Sequence, residues 1–151
     1  MIGFVKYLKT VLAGVELDSP LIGAAGTVGT LDELQDVNGF VGLGAVTTKS
    51  ITSEPRDGHP PWRLVEAKVG MLNAIGLANP GIEKFIELYA PRISSLPVKT
   101  FGSIAGHSIE EYVRVAKQFE LLSEIPVVEV NVSCPNTADG RSFVEDSALL
   151  Q

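Results

Sequence analysis

Cysteine occurs once in the 151 residues, at Cys134, so no disulfide can form within the chain. That usage fits a reducing cytosol, and a cytoplasmic location is expected. Histidine occurs only twice, at His59 and His107. Neither stands at metal-ligand spacing, and no Cys-x-x-Cys or His-x-x-x-His is present, so no metal is expected. The chain has no Gly-x-Gly-x-x-Gly fingerprint and no P-loop. No apolar run approaches the roughly 18 to 20 residues needed to span a bilayer, so no membrane span is expected. Residues 1–9 are weakly apolar, with no basic leader and no small-residue cleavage site, and are not read as a signal peptide. They are expected to pack on their own domain or to form a short helix facing a partner or lipid. Basic residues are few, 12 against 18 acidic ones, giving a net charge of −6. That balance excludes the basic face that a nucleic acid backbone demands. What is plentiful is apolar: 45% hydrophobic and 20% charged residues describe a chain that buries a core, and the length describes one domain.

Strand, loop and helix alternate along the chain. Residues 8–12 and 15–18 are expected to pair as a hairpin near Gly14, within an amino-terminal extension over residues 1–19. The apolar run 21–25 after Pro20 reads as a buried strand. Thr30 and Glu33 have capping-box spacing and predict a short helix opening at Thr30 and ending at Gly39. A second strand is expected over residues 40–46, followed by a long loop from Thr47 to about Leu64. That loop holds Pro55, Asp57-Gly58, Pro60 and Pro61, and loops of this length are usually functional. Asn79-Pro80-Gly81 opens a helix with Ile82, Phe85, Ile86 and Tyr89 on one face, ended by Pro91. A third strand is expected over residues 98–104. A helix capped by Ser108, with Glu111 at the capping-box position, then buries Tyr112, Val115, Ala116 and Phe119. Residues 127–132 predict a fourth strand, and residues 141–151 the start of another helix. Four βα units make an α/β fold. A (β/α)8 barrel takes about 250 residues, so the expectation is a small open sheet or the amino-terminal half of a TIM barrel. The chain stops inside an expected helix with no cap, which reads as truncation.

Polar residues cluster just past each expected strand: Gly26-Thr27, then Thr47-Thr48-Lys49-Ser50, then Ser103, then residues 131–137. In α/β folds that rim is where active sites are built. Lys49 can hold an anionic substrate or the electron-rich edge of a cofactor, or it can be a solvated rim lysine. Asn73-Ala74-Ile75-Gly76-Leu77-Ala78-Asn79 is an apolar turn between two asparagines, whose amides suit the edge of a cyclic amide. Gly76 would let backbone approach a ligand closely. Helix capping before Pro80 accounts for Asn79 but not for Asn73. Cys134 stands among polar side chains and before a proline. It is either inert packing or a base, in which case its thiolate does the work and activity rises with pH. Asn131-Val132-Ser133 matches a glycosylation sequon, set aside because Asn131 ends a buried strand. Glu129, the one charge in a valine-rich strand, shares parity with Asn131 and is expected to point inward and pair with Lys99.

Taken together, Ala24-Ala25-Gly26-Thr27, residues 48–56, residues 71–77, Ser103-Ile104-Ala105-Gly106 and Asn131-Val132-Ser133-Cys134-Pro135-Asn136 resemble, in order, the amino-terminal half of dihydroorotate dehydrogenases. Cys in the Asn-x-Ser-Cys-Pro-Asn stretch resembles the cytosolic class. Asn73-Ala74-Ile75-Gly76-Leu77 resembles the NAD-linked branch, although that branch usually has Asn where this chain has Ser103. The resemblance implies a flavoprotein with a (β/α)8 barrel holding FMN, oxidising dihydroorotate to orotate in pyrimidine biosynthesis. It implies Cys134 as catalytic base, and Thr27, Lys49, Ser50, Ser103 and Asn131 at the flavin. Lys49, Asn73, Ala74, Ile75, Gly76, Leu77, Asn131 and Asn136 would lie at the substrate. It also implies an iron–sulfur flavoprotein electron-transfer subunit as partner, and a homo-oligomer at full length. Without the second half of the barrel, these residues alone are expected to bind FMN weakly or not at all and to be inactive. Two other readings stand beside this one: a dihydropyrimidine dehydrogenase-type flavoenzyme, and a non-catalytic half-barrel interaction module.

Overall fold

The computed structural model describes residues 8–132. Its centre is a parallel four-stranded sheet: β3 (Ile22–Gly23), β4 (Ala45–Ile51), β7 (Lys99–Ile104) and β8 (Val128–Val130). Each strand is hydrogen-bonded to the next in chain order, and every pairing is parallel. A doubly wound sheet reverses its strand order at a switch point. A monotonic walk without reversal is how the wall of a (β/α)8 barrel grows, and this chain has the fold of the amino-terminal half of one.

Alternate residues of these strands serve two environments. Outward, Ile51 and Ile104 meet Ile82, Phe85, Val115 and Phe119 in the main core. Phe85 and Phe119 pack ring against ring at 5.3 Å between centroids. These aromatics come from α2 (Gly81–Leu88) and α4 (Ile109–Glu120), whose apolar residues recur at helical spacing as expected. Ser108 caps α4, its hydroxyl accepting from the Glu111 N–H. Inward and towards the amino end of the sheet, Ala45 and Phe101 pack on Leu17. Leu17 belongs to a hairpin of β1 (Thr10–Leu12) and β2 (Val15–Leu17), which thereby covers the end of the sheet opposite the polar rim.

Several expected boundaries move. No helix opens at Thr30: α1 spans Gln35–Asn38, with Leu34 at its N-cap and left-handed Gly39 closing it. Glu33 turns back instead to accept from the Leu31 N–H at 3.0 Å, so the carboxylate is used in the preceding turn. The second strand is not 40–46 but Ala45–Ile51, since Phe40 has a positive φ of 58° and leads a turn. Strand pairing to β7 carries β4 through Thr47-Thr48-Lys49-Ser50, which are therefore strand residues and not loop. Ser103 likewise lies inside β7. The expected loop starts only after Ile51, and near its expected end at Leu64 it leads into a second antiparallel hairpin, β5 (Leu64–Glu66) with β6 (Met71–Asn73). Leu64, Val65, Met71 and Leu72 on this hairpin are all exposed. Pro91 does not end α2. It sits in the first turn of a separate short helix, α3 (Ala90–Ile93), where its missing N–H costs nothing. The helix expected over residues 141–151 lies outside the described residues.

Phe119 is fully buried against Phe85 and the outward face of the sheet. Phe119→Ala is expected to lower unfolding stability by about 3–5 kcal/mol. Ser108→Ala, which removes only the cap, is expected to cost about 1 kcal/mol. Urea denaturation followed by circular dichroism measures both.

Candidate active site

The carboxyl end of the sheet gathers hydroxyls and amides into one connected group. Ser50, Ser103 and Glu129 occupy matched positions on three adjacent strands, Ser50 opposite Ser103 and Ser103 opposite Glu129. The Ser50 and Ser103 hydroxyls lie 2.9 Å apart, and Asn131 Nδ2 donates to Ser50 Oγ at 3.1 Å. Both serines are buried. Two further bonds anchor the group: the Ser103 N–H donates to Thr48 Oγ1 at 2.9 Å, and the Tyr112 hydroxyl of α4 donates to the Asn131 carbonyl at 2.6 Å.

A register shift explains how β4 supplies both Lys49 and Ser50. Thr47 pairs with Phe101 and Ser50 with Ser103, so two residues of β4 span what one residue of β7 spans. Such a bulge re-aims side chains and recurs beside active sites. Without it, the odd Thr47 and the even Ser50 could not both face inward. The Lys49 side chain, half-buried, comes over Gly26: a Cβ placed on Gly26 would sit 3.3 Å from the Lys49 ammonium. Gly26 has φ of +80° in the turn after β3, and Thr27 closes that turn by donating to the Ala24 carbonyl at 2.7 Å. The backbone of Lys49 is held from the same side, its N–H donating to the Thr30 carbonyl at 3.0 Å.

Residues 73–77 lie on the segment returning from the β5–β6 hairpin. Asn73 and Ala74 are exposed, Ile75 is half-buried, and Gly76 and Leu77 are buried. This segment is laced to the loop after β4: the His59 N–H donates to the Ile75 carbonyl, and Arg56 and Asn79 bridge backbone to backbone. Gly76, at φ +75°, has no room for a side chain, because a Cβ there would lie 2.5 Å from the His59 nitrogen. Close approach does occur at Gly76, but what approaches is the chain's own loop. Asn79 is structural. Its Oδ1 accepts from the Thr52 and Gly81 N–H groups, and its Nδ2 donates to Thr52 Oγ1 and the Leu77 carbonyl. The two histidines stay apart from any metal cluster, and none of three or more ligand-type residues occurs among the described residues. His107 Nε2 instead meets an Arg56 Nη1 donor, tying the loop after β4 to the loop after β7. Cys134 and Asn136 lie outside the described residues.

The expected Glu129–Lys99 pair is absent. Both side chains are exposed, and their strand positions explain why. Lys99 pairs with Ala45 at the amino end of β7, four residues or roughly 13 Å from Ser103, beside which Glu129 lies. The parity of Glu129 with Asn131 does place both at the Ser50–Ser103 group. Neither the bulge nor the Tyr112 anchor left a mark in single-sequence patterning. The β5–β6 hairpin did: Ala67 and Gly70 close a turn between the apolar pairs Leu64-Val65 and Met71-Leu72, and a glycine in such a loop is a hairpin signal.

Over residues 7–151 the sequence matches the family model described as dihydroorotate dehydrogenase. The chain belongs to the dihydroorotate dehydrogenase family. It is 40% identical over 139 residues to the "Dihydroorotate dehydrogenase B (NAD(+)), catalytic subunit" of Desulforudis audaxviator, covering 91% of this chain and 45% of that protein. The protein of that name from Alkaliphilus metalliredigens is 39% identical over 145 residues, covering 95% and 48%. Among solved structures, the Eimeria tenella dihydroorotate dehydrogenase in complex with ferulenol aligns with a TM-score of 0.69 at 19% identity. That alignment covers 95% of this chain and 41% of the other. The ligand-free enzyme of the same organism aligns at 0.63, covering 90% and 41%. The chain thus spans about half the length of the curated relatives it matches.

Beside the site, Glu33 steadies the turn whose Thr30 carbonyl holds Lys49. Burial pushes the Glu33 carboxyl up, but N–H donors from Leu31, Thr30, Glu33 and Asp32 outweigh it and hold the group below its ordinary value. A depressed folded value contributes stability that is present above the unfolded value and is lost as pH falls through the folded one. As pH falls below the ordinary carboxylate range the protein is expected to lose stability through this group. Glu33→Gln is expected to flatten that acid limb, as urea midpoints measured across the range will show.

Proposed function

We propose that this chain is the flavin- and substrate-binding amino-terminal portion of an FMN-dependent dihydroorotate dehydrogenase, which oxidises dihydroorotate to orotate in de novo pyrimidine synthesis. The single observation that supports this best is the joined group of Ser50, Ser103 and Asn131 at the carboxyl end of three parallel strands, with the Lys49 ammonium brought over Gly26 beside it. The donor set fits a flavin. It offers one cation for an electron-rich ring edge, hydroxyl and amide groups for a polar one, and a glycine in place of a side chain under the cation. Thr27, Lys49, Ser50, Ser103 and Asn131 would hold FMN, which when bound supplies the two-electron acceptor for the hydride.

The chain's own residues do the rest. Cys134 as thiolate takes the proton from the ring carbon beside a carbonyl, while the hydride leaves the neighbouring carbon, so one C=C bond forms. Lys49 balances the negative charge of the substrate. Asn73, Asn131 and Asn136, with the segment Ala74-Ile75-Gly76-Leu77, position the ring. The relatives' name, catalytic subunit, supports an assembly with a second subunit. An iron–sulfur flavoprotein that passes electrons to NAD would serve, with a homo-oligomer at full length and a cytoplasmic location. Among the described residues no helix is long and apolar enough to cross a membrane.

The test joins this chain to the carboxyl-terminal half of a relative, purifies the product with FMN, and follows loss of flavin absorption on adding dihydroorotate. Bleaching is expected, with a rate rising with pH towards the ordinary thiol value of about 8.5. Cys134→Ser is expected to slow it by about 10²- to 10⁴-fold. Lys49→Ala is expected to weaken both flavin and substrate. Bleaching by dihydrouracil but not dihydroorotate would overturn the substrate, and undiminished bleaching without Cys134 would overturn the base. The 151-residue chain by itself is expected to bind FMN weakly or not at all, which the spectrum of the isolated chain reads directly.

A further inference from the structure

Arg56 and His107 take no part in the chemistry above, and they stand on different rim loops. The Arg56 guanidinium donates from Nη1 to His107 Nε2. Among the described residues this ring is the guanidinium's one hydrogen-bond partner, and Arg56 Nε is buried with none. A guanidinium only donates, whereas a neutral imidazole donates from one nitrogen and accepts at the other. Nε2 is therefore the accepting atom, and the proton of His107 sits on Nδ1. A protonated ring has donors on both nitrogens and cannot take this bond. It would also set two cations against each other.

Both ends of the contact are anchored. On one side the His107 N–H donates to Glu111 Oε2 at 2.6 Å, so the ring stands on the first turn of α4. On the other, the Arg56 backbone exchanges two bonds with Asn79, at 2.9 and 3.0 Å. Asn79 Nδ2 in turn donates to the Leu77 carbonyl at 2.8 Å. The side-chain contact thus joins α4 to the end of the segment 73–77. Other charges on the elements that meet here have partners of their own. Glu54 and, from α2, Glu83 meet Arg114 at 3.0 and 3.6 Å, and the Ser108 hydroxyl donates to Glu110. Asp57, next in the chain to Arg56, is exposed. Arg56 and Glu111 are the charged residues hydrogen-bonded to His107 among the described residues.

We propose that His107 is a positioning residue: in its neutral form, with the proton on Nδ1, it holds the Arg56 guanidinium and so braces the segment 73–77 against α4, and on protonation it lets Arg56 go. Imidazole is the side chain whose charge ordinarily changes in the physiological range, so the brace is made on the alkaline side of that change and lost on the acid side. Because His107 is the guanidinium's one acceptor here, losing it leaves Arg56 without a fixed direction. The backbone bonds between Arg56 and Asn79 remain, so the segment loosens and does not unfold.

The consequence for substrate rests on the reading under Proposed function, but the brace does not, so the first test uses the ligand-free chain. In the ¹⁵N-labelled protein the ring nitrogens of a histidine report its protonation and its tautomer. His59 is the only other histidine, and His59→Gln assigns the two. Neutral His107 is expected to carry its proton on Nδ1, and to lose that preference in Arg56→Ala. The Arg56 Nε–H, shielded by its burial, is expected to shift as His107 titrates. His107→Ala is expected to place that signal near its acid position at every pH. His107→Gln, which offers an accepting carbonyl and cannot be protonated, is expected to hold it near its alkaline position. A neutral His107 protonated on Nε2 would overturn the proposal. So would an Arg56 signal that ignores the titration, or one that still follows pH in His107→Gln. In the protein joined to a relative's carboxyl-terminal half, His107→Ala is expected to raise KM for dihydroorotate several-fold with kcat little changed, and His107→Gln to restore it. A loss confined to kcat would place His107 in the chemistry and overturn its positioning role. Failure of that joined protein to oxidise dihydroorotate would count against the functional reading alone, since the ring and guanidinium signals are read without ligand.

Discussion

The parallel pairing of β4 with β7, with one extra β4 residue taken up in a bulge, is the constraint on which the rest of this structure depends. On one side of the bulge, Ala45 and Phe101 face the amino-terminal hairpin. On the other, Ser50 faces Ser103, while Ile51 and Ile104 turn outward to the helices. A single slip in this register would turn the serines to the core side and the isoleucines to the polar rim. Apolar burial on the outer face therefore fixes the polar geometry on the inner one.

Around that pairing, each loop on the rim is held by the next. The Thr30 carbonyl holds the Lys49 backbone, Arg56 joins Asn79, His59 joins Ile75, and Asn79 bonds to Thr52 and to the start of α2. Tyr112 reaches from α4 to Asn131, just past β8. Polar groups that are buried need partners, and here those partners come from neighbouring βα units. The satisfaction of each described loop is thus shared with another.

Much of this was legible beforehand, element by element. The helix around Phe85 announced itself by its spacing, and the α4 cap by Ser108 and Glu111, because both are local patterns with one physical solution. The third strand was legible as an apolar run with small residues. Thr30 and Glu33 misled, since a capping-box spacing marks a possible hydrogen bond and not the helix that follows it. The extent of β4 was hidden for a different reason. Thr47 to Ser50 look like loop residues, and only pairing with β7 makes them strand.

By itself the sequence determined the alternation of strands and helices, the helix faces, and the small polar residues reserved for one rim. These follow from periodicity and residue chemistry, which act over a few neighbours. Family membership, too, lay in the order of its motifs. Tertiary structure alone decided that Lys49 and Ser50 serve the same rim, that Glu129 meets Ser103 and not Lys99, and that Asn79 is a strut. Each of those depends on inter-strand register and loop-to-loop contact between residues up to 81 positions apart, as Ser50 and Asn131 are. No local pattern encodes a distance of that kind.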